Sequence, residues 1–208
     1  MALVRVPVSV SAAVVLILAT SAATPVLAET ETYTLDRAGS ASSAVDFTIY
    51  ASKIFKFKRE GQFKNFTGQL SFDPENPLGT QIDLTVYTSS VDIHNDQHNQ
   101  LLKSASFFDV ERFPTIQFTS SSTDVKADGA FAVTGDLTIR GITQRTTIPV
   151  TLKRSPETHG PSLAFFESTF DIDRTAFGLT GLAQTPGFNV SISKEVRIHI
   201  AVATRLRH

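Results

Sequence analysis

Across 208 residues, 19 Lys and Arg stand against 20 Asp and Glu, so the chain lacks the basic excess that binding a nucleic-acid backbone demands. With no cysteine it can form no disulfide, thiol nucleophile, thiolate metal site or lipidated thiol. Its aromatic supply is 16 Phe, three Tyr and no Trp, every Phe falling after residue 46, which suits either a core or the wall of an apolar cavity.

Residues 1–28 have the pattern of a cleaved export signal: Arg5, an apolar run from Val8 to Ala19, and the short side chains of Val26-Leu27-Ala28 before the expected cut. A membrane-spanning helix needs roughly 20 mostly apolar residues, and Ser9, Ser11 and Pro25 interrupt this one. The expected mature chain, 29–208, keeps 18 of the 19 basic residues against all 20 acids and is long enough to bury one core without staples. Its expected location is periplasmic or secreted.

Tyr33 to Asp36 opens the mature chain as a short strand. Val45, Phe47 and Ile49 alternate with Asp46, Thr48 and Tyr50, and Ile54 to Lys58 again opposes aromatic and charged side chains, as half-buried strands do. Gln62 to Asp73 continues with Phe63, Phe66, Leu70 and Phe72, and Pro74 to Gly79 ends it. Gln81 to Thr88 alternates strictly, with Ile82, Leu84 and Val86 on one face.

The segment from His94 to Ala105 contains no Pro or Gly, and Leu101, Leu102, Ala105 and Phe108 follow at helical spacing, so a helix is expected before Pro114. Proline has no donor and biases Phe113 to an extended conformation, so the next strand starts at Thr115. Asp128-Gly129 and Arg140-Gly141 are hairpin signals between Ile116–Val125, Phe131–Ile139 and Thr143–Leu152. Leu163 to Ile172 and Glu195 to Thr204 are the last strands. About eight one-sided strands and one helix predict an all-β fold, an antiparallel sheet curled into an eight-stranded barrel, with a two-sheet sandwich as the alternative.

LLKSASFFDVERFPTIQFTSS from Leu101 resembles the signature of the YceI-like, polyisoprenoid-binding proteins. YTLD at Tyr33, GQFKNFTGQLSFDP at Gly61, SSVDI at Ser89, GDLTIRGIT at Gly135 and IDRTAFGL at Ile172 follow the same family in order. The resemblance implies a lipocalin-like barrel, export, a homodimer, and an isoprenoid ligand such as a quinone tail or polyprenyl lipid. It also marks Arg174 as a polar contributor and Phe177 as a site residue. Where the family tends to show a His-Ser pair and a further His, this chain has Ser42-Ser43 and Ala51-Ser52, and His98-Asn99 replaces the usual Arg-Asp pair.

No catalytic or metal grouping emerges beside it. His94 and His98 have i, i+4 spacing without the Glu of a metalloprotease helix, and Ser191 to Lys194 has Ser-x-x-Lys spacing without its companion motifs. Asp171 and Asp173 share a strand face opposite Phe170 and Ile172, as wet-face residues do. Lys53, Lys56, Lys58, Arg59 and Lys64 form the basic cluster, interleaved with Phe55, Phe57 and Phe63; the reading is either a wet strand face or a rim that meets a lipid head group or anionic membrane.

The expected function is that of an exported, non-enzymatic carrier that shields a long isoprenoid chain in an apolar barrel and needs no cofactor. The expected lining is Phe47, Ile49, Phe63, Leu70, Phe72, Leu84, Val86, Phe118, Leu137, Phe165, Phe170 and Ile198, with Phe107, Phe108 and Phe113 as its helix-side wall. An enzyme acting on a bound lipid, or a filled barrel serving as an interaction module, are the alternatives.

Overall fold

The computed structural model describes residues 31–36, 43–52, 56–72, 76–126, 130–154, 163–181 and 191–205. The expected leader, Lys53, the Asp128-Gly129 turn and the 155–161 loop lie outside the described residues. The strands are β1 (Glu31–Asp36), β2 (Ala44–Ser52), β3 (Lys56–Phe63), β4 (Phe66–Phe72), β5 (Gln81–Tyr87), β6 (Val91–Asp92), β7 (Thr115–Val125), β8 (Phe131–Ile139), β9 (Ile142–Arg154), β10 (Leu163–Asp173) and β11 (Ser191–Arg205). One α-helix, α1 (Asp96–Lys103), and 3-10 turns at Pro77–Gly79, Thr88–Ser90 and Arg174–Phe177 join them.

The strands form one antiparallel sheet in the order β1-β4-β5-β7-β8-β9-β10-β11-β2-β3-β6. This is all-β as expected, but with eleven strands among the described residues where eight were expected. Two runs are broken by kinks, at Lys64-Asn65 between β3 and β4 and at Thr88–Ser90 between β5 and β6, and the first short segment pairs along β4 as an edge strand.

Connectivity forces the sheet to curl. β3 is next to one end of the order and β4 next to the other, yet only Lys64 and Asn65 separate them. Two linking residues reach on the order of 10 Å, so the ends of the sheet must meet. β5 and β6 make the same crossing through three residues. The seam is stitched by Lys64 N donating to Ser90 O at 3.1 Å, Tyr87 N to Asn65 O at 3.0 Å and Asn65 N to Ser90 Oγ at 3.0 Å. The outcome is a curled half-barrel whose alternating inner side chains merge into one apolar cluster. Gly61 serves close packing there, since a Cβ would collide with the Phe47 ring and with Ile93.

Asp92 ties α1 to this seam. Its carboxylate accepts from Lys64 Nζ at 2.6 Å, from Asn99 Nδ2 at 2.9 Å and from His94 N at 2.9 Å. These partners, Lys64 foremost, hold the Asp92 carboxyl well below the usual carboxylate range. The Asn95 side chain caps α1 by accepting from His98 N at 2.9 Å. His94 precedes the cap with φ 58°, so the two histidines do not share one helix face as their spacing proposes.

The helix is also shorter than its sequence pattern. It stops at Lys103, and the chain turns well before Pro114 because Ser104 O accepts from both Phe107 N and Asp109 N at 2.9 Å, with Asp109 at φ 50°. Thr88 then holds the start of β7, its hydroxyl donating to Phe113 O at 2.9 Å and its N–H to Pro114 O at 3.0 Å.

Candidate functional site

The sheet encloses two adjoining apolar cavities. One, of about 950 Å³ counted out to its open side, is lined from β1 round to β11 by residues that include Leu35, Val45, Leu70, Phe118, Leu137, Phe166 and Val202. The second, about 640 Å³ on the same measure, lies toward α1 against Phe47, Ile49, Leu102, Phe107, Phe108, Leu179 and Val196. They share Phe63, Ile116, Ile139, Ile172 and Ile198, so the two chambers meet at one waist.

Most of the expected lining is brought together here. Leu70, Leu84, Val86, Phe118, Leu137 and Phe170 line the larger chamber, Phe47, Ile49, Phe107 and Phe108 the smaller, and Phe63 and Ile198 both. Phe63 packs 5.5 Å from the Phe47 ring and 5.5 Å from Phe108, which makes it the centre of the waist.

Four expected positions stand apart from the lumen wall. Phe165 lies on the opposite face of β10, because Phe166, Ser168, Phe170 and Ile172 alternate inward; Phe166 takes its place. Phe72 fills one end instead, in edge-on contact with Phe131 at 5.7 Å and Phe166 at 6.0 Å, with Tyr33 5.8 Å from Phe166. Phe113 lies outside, beneath the Arg112 guanidinium at 5.2 Å and against Gly141, where a Cβ would come within 2.8 Å of its ring. Phe177 is buried in the core beside the lumen.

The polar groups sort differently from the expectation. Arg174 borders the smaller chamber, but its guanidinium is committed to backbone carbonyls: Nε to Ser193 O at 2.9 Å, Nη2 to Ile192 O at 3.1 Å, and Nη1 to Leu179 O. Burial lowers its pKa from the ordinary arginine value, and Asp173 opposes that shift. Arg174 therefore clasps the 3-10 turn to β11 where the pairing with β2 shifts register between Ile192 and Val196.

Asp171 and Asp173 each make structural contacts with other groups. Asp171 takes a two-pronged contact from Arg197 at 3.0 Å on each oxygen, and Asp173 caps the turn through Thr175 N at 2.8 Å and Thr175 Oγ1 at 2.6 Å. In the basic cluster, Lys58 pairs with Glu60 at 2.5 Å and Arg59 lies 5.0 Å over the Phe57 ring. Arg59 is opposite Ile49 in the β2–β3 register, which puts it on the lumen face at the exposed rim beyond the smaller chamber. Lys53 lies outside the described residues, as does the side chain of Lys56.

Sequence reasoning missed two features. β10 pairs with β9 only over Ala164–Glu167 against Arg154–Thr151; from Ser168 to Asp173 it has no β9 partner. Across that gap, Gln144 and Thr146 sit on the lumen face of β9, opposite Leu137 and Gly135, yet Gln144 is exposed and Thr146 half-exposed. Inward-facing side chains that see solvent mark the gap where the two strands part. Its lower edge is closed by Arg140, which donates to Ala105 O at 2.8 Å and to Gly178 O at 3.2 Å.

The other feature is Ser168, 7% exposed and facing the larger chamber, whose hydroxyl has no hydrogen-bond partner. Stepping back from Ile172 and Phe170 in twos along β10 reaches it, so the strand's own period carried the signal.

The model of the YceI-like domain matches residues 33–204. This chain belongs to the YceI-like family. Among sequence relatives, a UPF0312 protein of Enterobacter sp. (strain 638) is 35% identical over 122 residues, 58% of this YceI-like chain and 62% of that protein. Protein YceI of Salmonella arizonae is 34% identical over 121 residues, 58% of this chain and 63% of its own. The aligned stretch thus covers less than two thirds of these relatives. In structure, the chain is similar to BcnA of Burkholderia cenocepacia, with a TM-score of 0.65, 28% identity, and coverage of 77% of this chain and 95% of that one. A polyisoprenoid binding domain from Saccharophagus degradans shares the fold at a TM-score of 0.62 and 14% identity, covering 86% of this chain and all of its own.

Proposed function

We propose that this protein is an exported, non-enzymatic carrier that holds one long isoprenoid chain in the two-chamber lumen and releases it through the opening between β9 and β10. The observation that carries the reading is the lining of the two chambers, apolar at every described position except Glu167, Ser168 and Arg174. A flexible, repeating hydrocarbon is the ligand such a wall rewards. At about 0.8 kcal/mol per buried methylene-sized group, each five-carbon unit contributes roughly 3 to 4 kcal/mol before ordering costs. The polyisoprenoid binding described for the Saccharophagus degradans domain supports the same ligand class. Lys58 and Arg59 at the rim fit a role in touching an anionic membrane surface during loading. Homodimerisation is implied by the family resemblance.

Organic extraction and mass spectrometry of the purified mature protein test the proposal. The expected result is a co-extracted isoprenoid, or uptake of added quinone or polyprenol, that is lost in Phe118→Arg, where a charge enters the wall. Repeated absence of lipid, with no uptake of either additive, sinks the carrier reading.

A further inference from the structure

Resting on that carrier reading, we infer that the aromatic cluster of Tyr33, Phe72, Phe131 and Phe166 is the ruler of the lumen, setting the longest isoprenoid chain that the protein buries. The four rings come from β1, β4, β8 and β10 and belong to the apolar cluster inside the sheet. Tyr33 meets Phe166 at 5.8 Å, Phe166 meets Phe72 at 6.0 Å and Phe72 meets Phe131 at 5.7 Å, each pair edge-on. Two of these contacts, Phe166–Phe72 and Phe72–Phe131, join strands well apart in the strand order, so the rings span the interior. Each ring is at most 7% exposed. Edge-on contacts fix the rings relative to one another, and a close-packed group of this kind leaves no room for a guest.

The cluster stands directly behind the larger chamber. Phe166 lines that chamber, as do Leu70 and Val150. Phe72 is the next inward residue of β4 after Leu70, Tyr33 is paired with Leu70, and Phe131 is paired with Val150. Tyr33, Phe72 and Phe131 line neither chamber, so among the described residues the free space ends at Phe166. The other side of the chamber leads through the waist to the smaller chamber and, between β9 and β10, to the gap. A chain threaded into the larger chamber therefore meets one blind end.

A blind end converts length into affinity. Each five-carbon unit that enters the lumen leaves water and tightens binding, whereas a unit beyond the capacity of the lumen stays in water and adds nothing. Affinity then climbs with chain length and breaks at one length, fixed by where Phe166 stands. No polar group takes part in this selection, so it acts on the hydrocarbon whatever its head group.

The test measures the affinity of the mature chain for all-trans prenyl alcohols from geraniol to solanesol, a series with a constant head group and a growing tail. The expected wild-type result is a gain of about tenfold or more per added unit up to the break and of less than about twofold per unit beyond it. Phe166→Ala removes the phenyl ring that ends the chamber and should move the break up by about one unit. Val150→Phe sets a ring in front of the cluster and should move the break down by about one unit. Phe166→Leu, a smaller cut that stays apolar, should move the break in the same direction as Phe166→Ala and carries the test if the alanine variant does not fold. A break at the same length in wild type and variants, affinity that climbs unbroken to solanesol, or variants that weaken every length alike would each overturn the ruler and leave the carrier reading standing. Failure of every alcohol to bind the wild type removes both.

Discussion

The sheet is interrupted at two places, and they are treated in opposite ways. At Lys64-Asn65 and Thr88–Ser90 the chain crosses from one end of the strand order to the other, and backbone bonds, the Ser90 hydroxyl and the Lys64–Asp92 pair close the junction. Between β9 and β10 the pairing simply stops after Glu167 and Thr151, and polar side chains on the lumen face meet solvent. Backbone polar groups at a seam must be satisfied by protein or by water. Protein satisfies them at the first junction, which makes it a structural closure; solvent reaches the second, which makes it the proposed route to the lumen. On that reading, stability and access fall on different sides of the same half-barrel.

Substitutions at the two sides should separate accordingly. The largest effect belongs beside the sealed seam: Phe63→Ala removes the ring at the waist and should cost about 3 to 5 kcal/mol, read by urea unfolding of the ligand-free chain. Asp92→Asn should be milder at neutral pH and distinctive in acid. The folded carboxyl titrates below its ordinary value near 3.8, so its stabilisation is present above that pH and is lost as pH falls through the folded value. Unfolding curves taken from neutral pH downward should show the wild type losing its advantage over Asp92→Asn below about pH 4. If the gap stays constant, Asp92 is not the acid-sensitive tie between seam and helix.

At the open side the effect should fall on kinetics. Thr146→Trp should slow uptake of geranylgeraniol severalfold while stability stays within about 0.5 kcal/mol, as for surface changes in general. Equal uptake rates would place the entry elsewhere. The smallest effect is expected at the rim, where Arg59→Glu should weaken attachment to vesicles containing anionic lipid and leave attachment to neutral vesicles unchanged.

The strand faces were legible in the sequence because the period of two acts locally: Val45, Phe47 and Ile49 face inward as their alternation says, and β7 begins at Thr115 directly after Pro114. The Arg140-Gly141 hairpin was equally local, with φ of 52° and 73° at its two turn residues. The seam was not legible, since Lys64-Asn65 contains neither Pro nor Gly and its kink is imposed by pairing with strands distant in sequence. The opening depends on where two strands part, which no local pattern records. Phe165 illustrates a different loss: it and Phe170 have opposite parity on one strand, and only the register selects Phe166 for the lumen.

A photoreactive polyisoprenol, cross-linked to the mature protein and mapped by peptide mass spectrometry, tests the two-sided lumen most directly. The account predicts adducts on Phe47, Phe63, Phe118 and the inward residues of β10, competed away by unlabelled geranylgeraniol and lost in Phe118→Arg. Adducts confined to exposed positions such as Leu78 and Val125, insensitive to competitor, would contradict it.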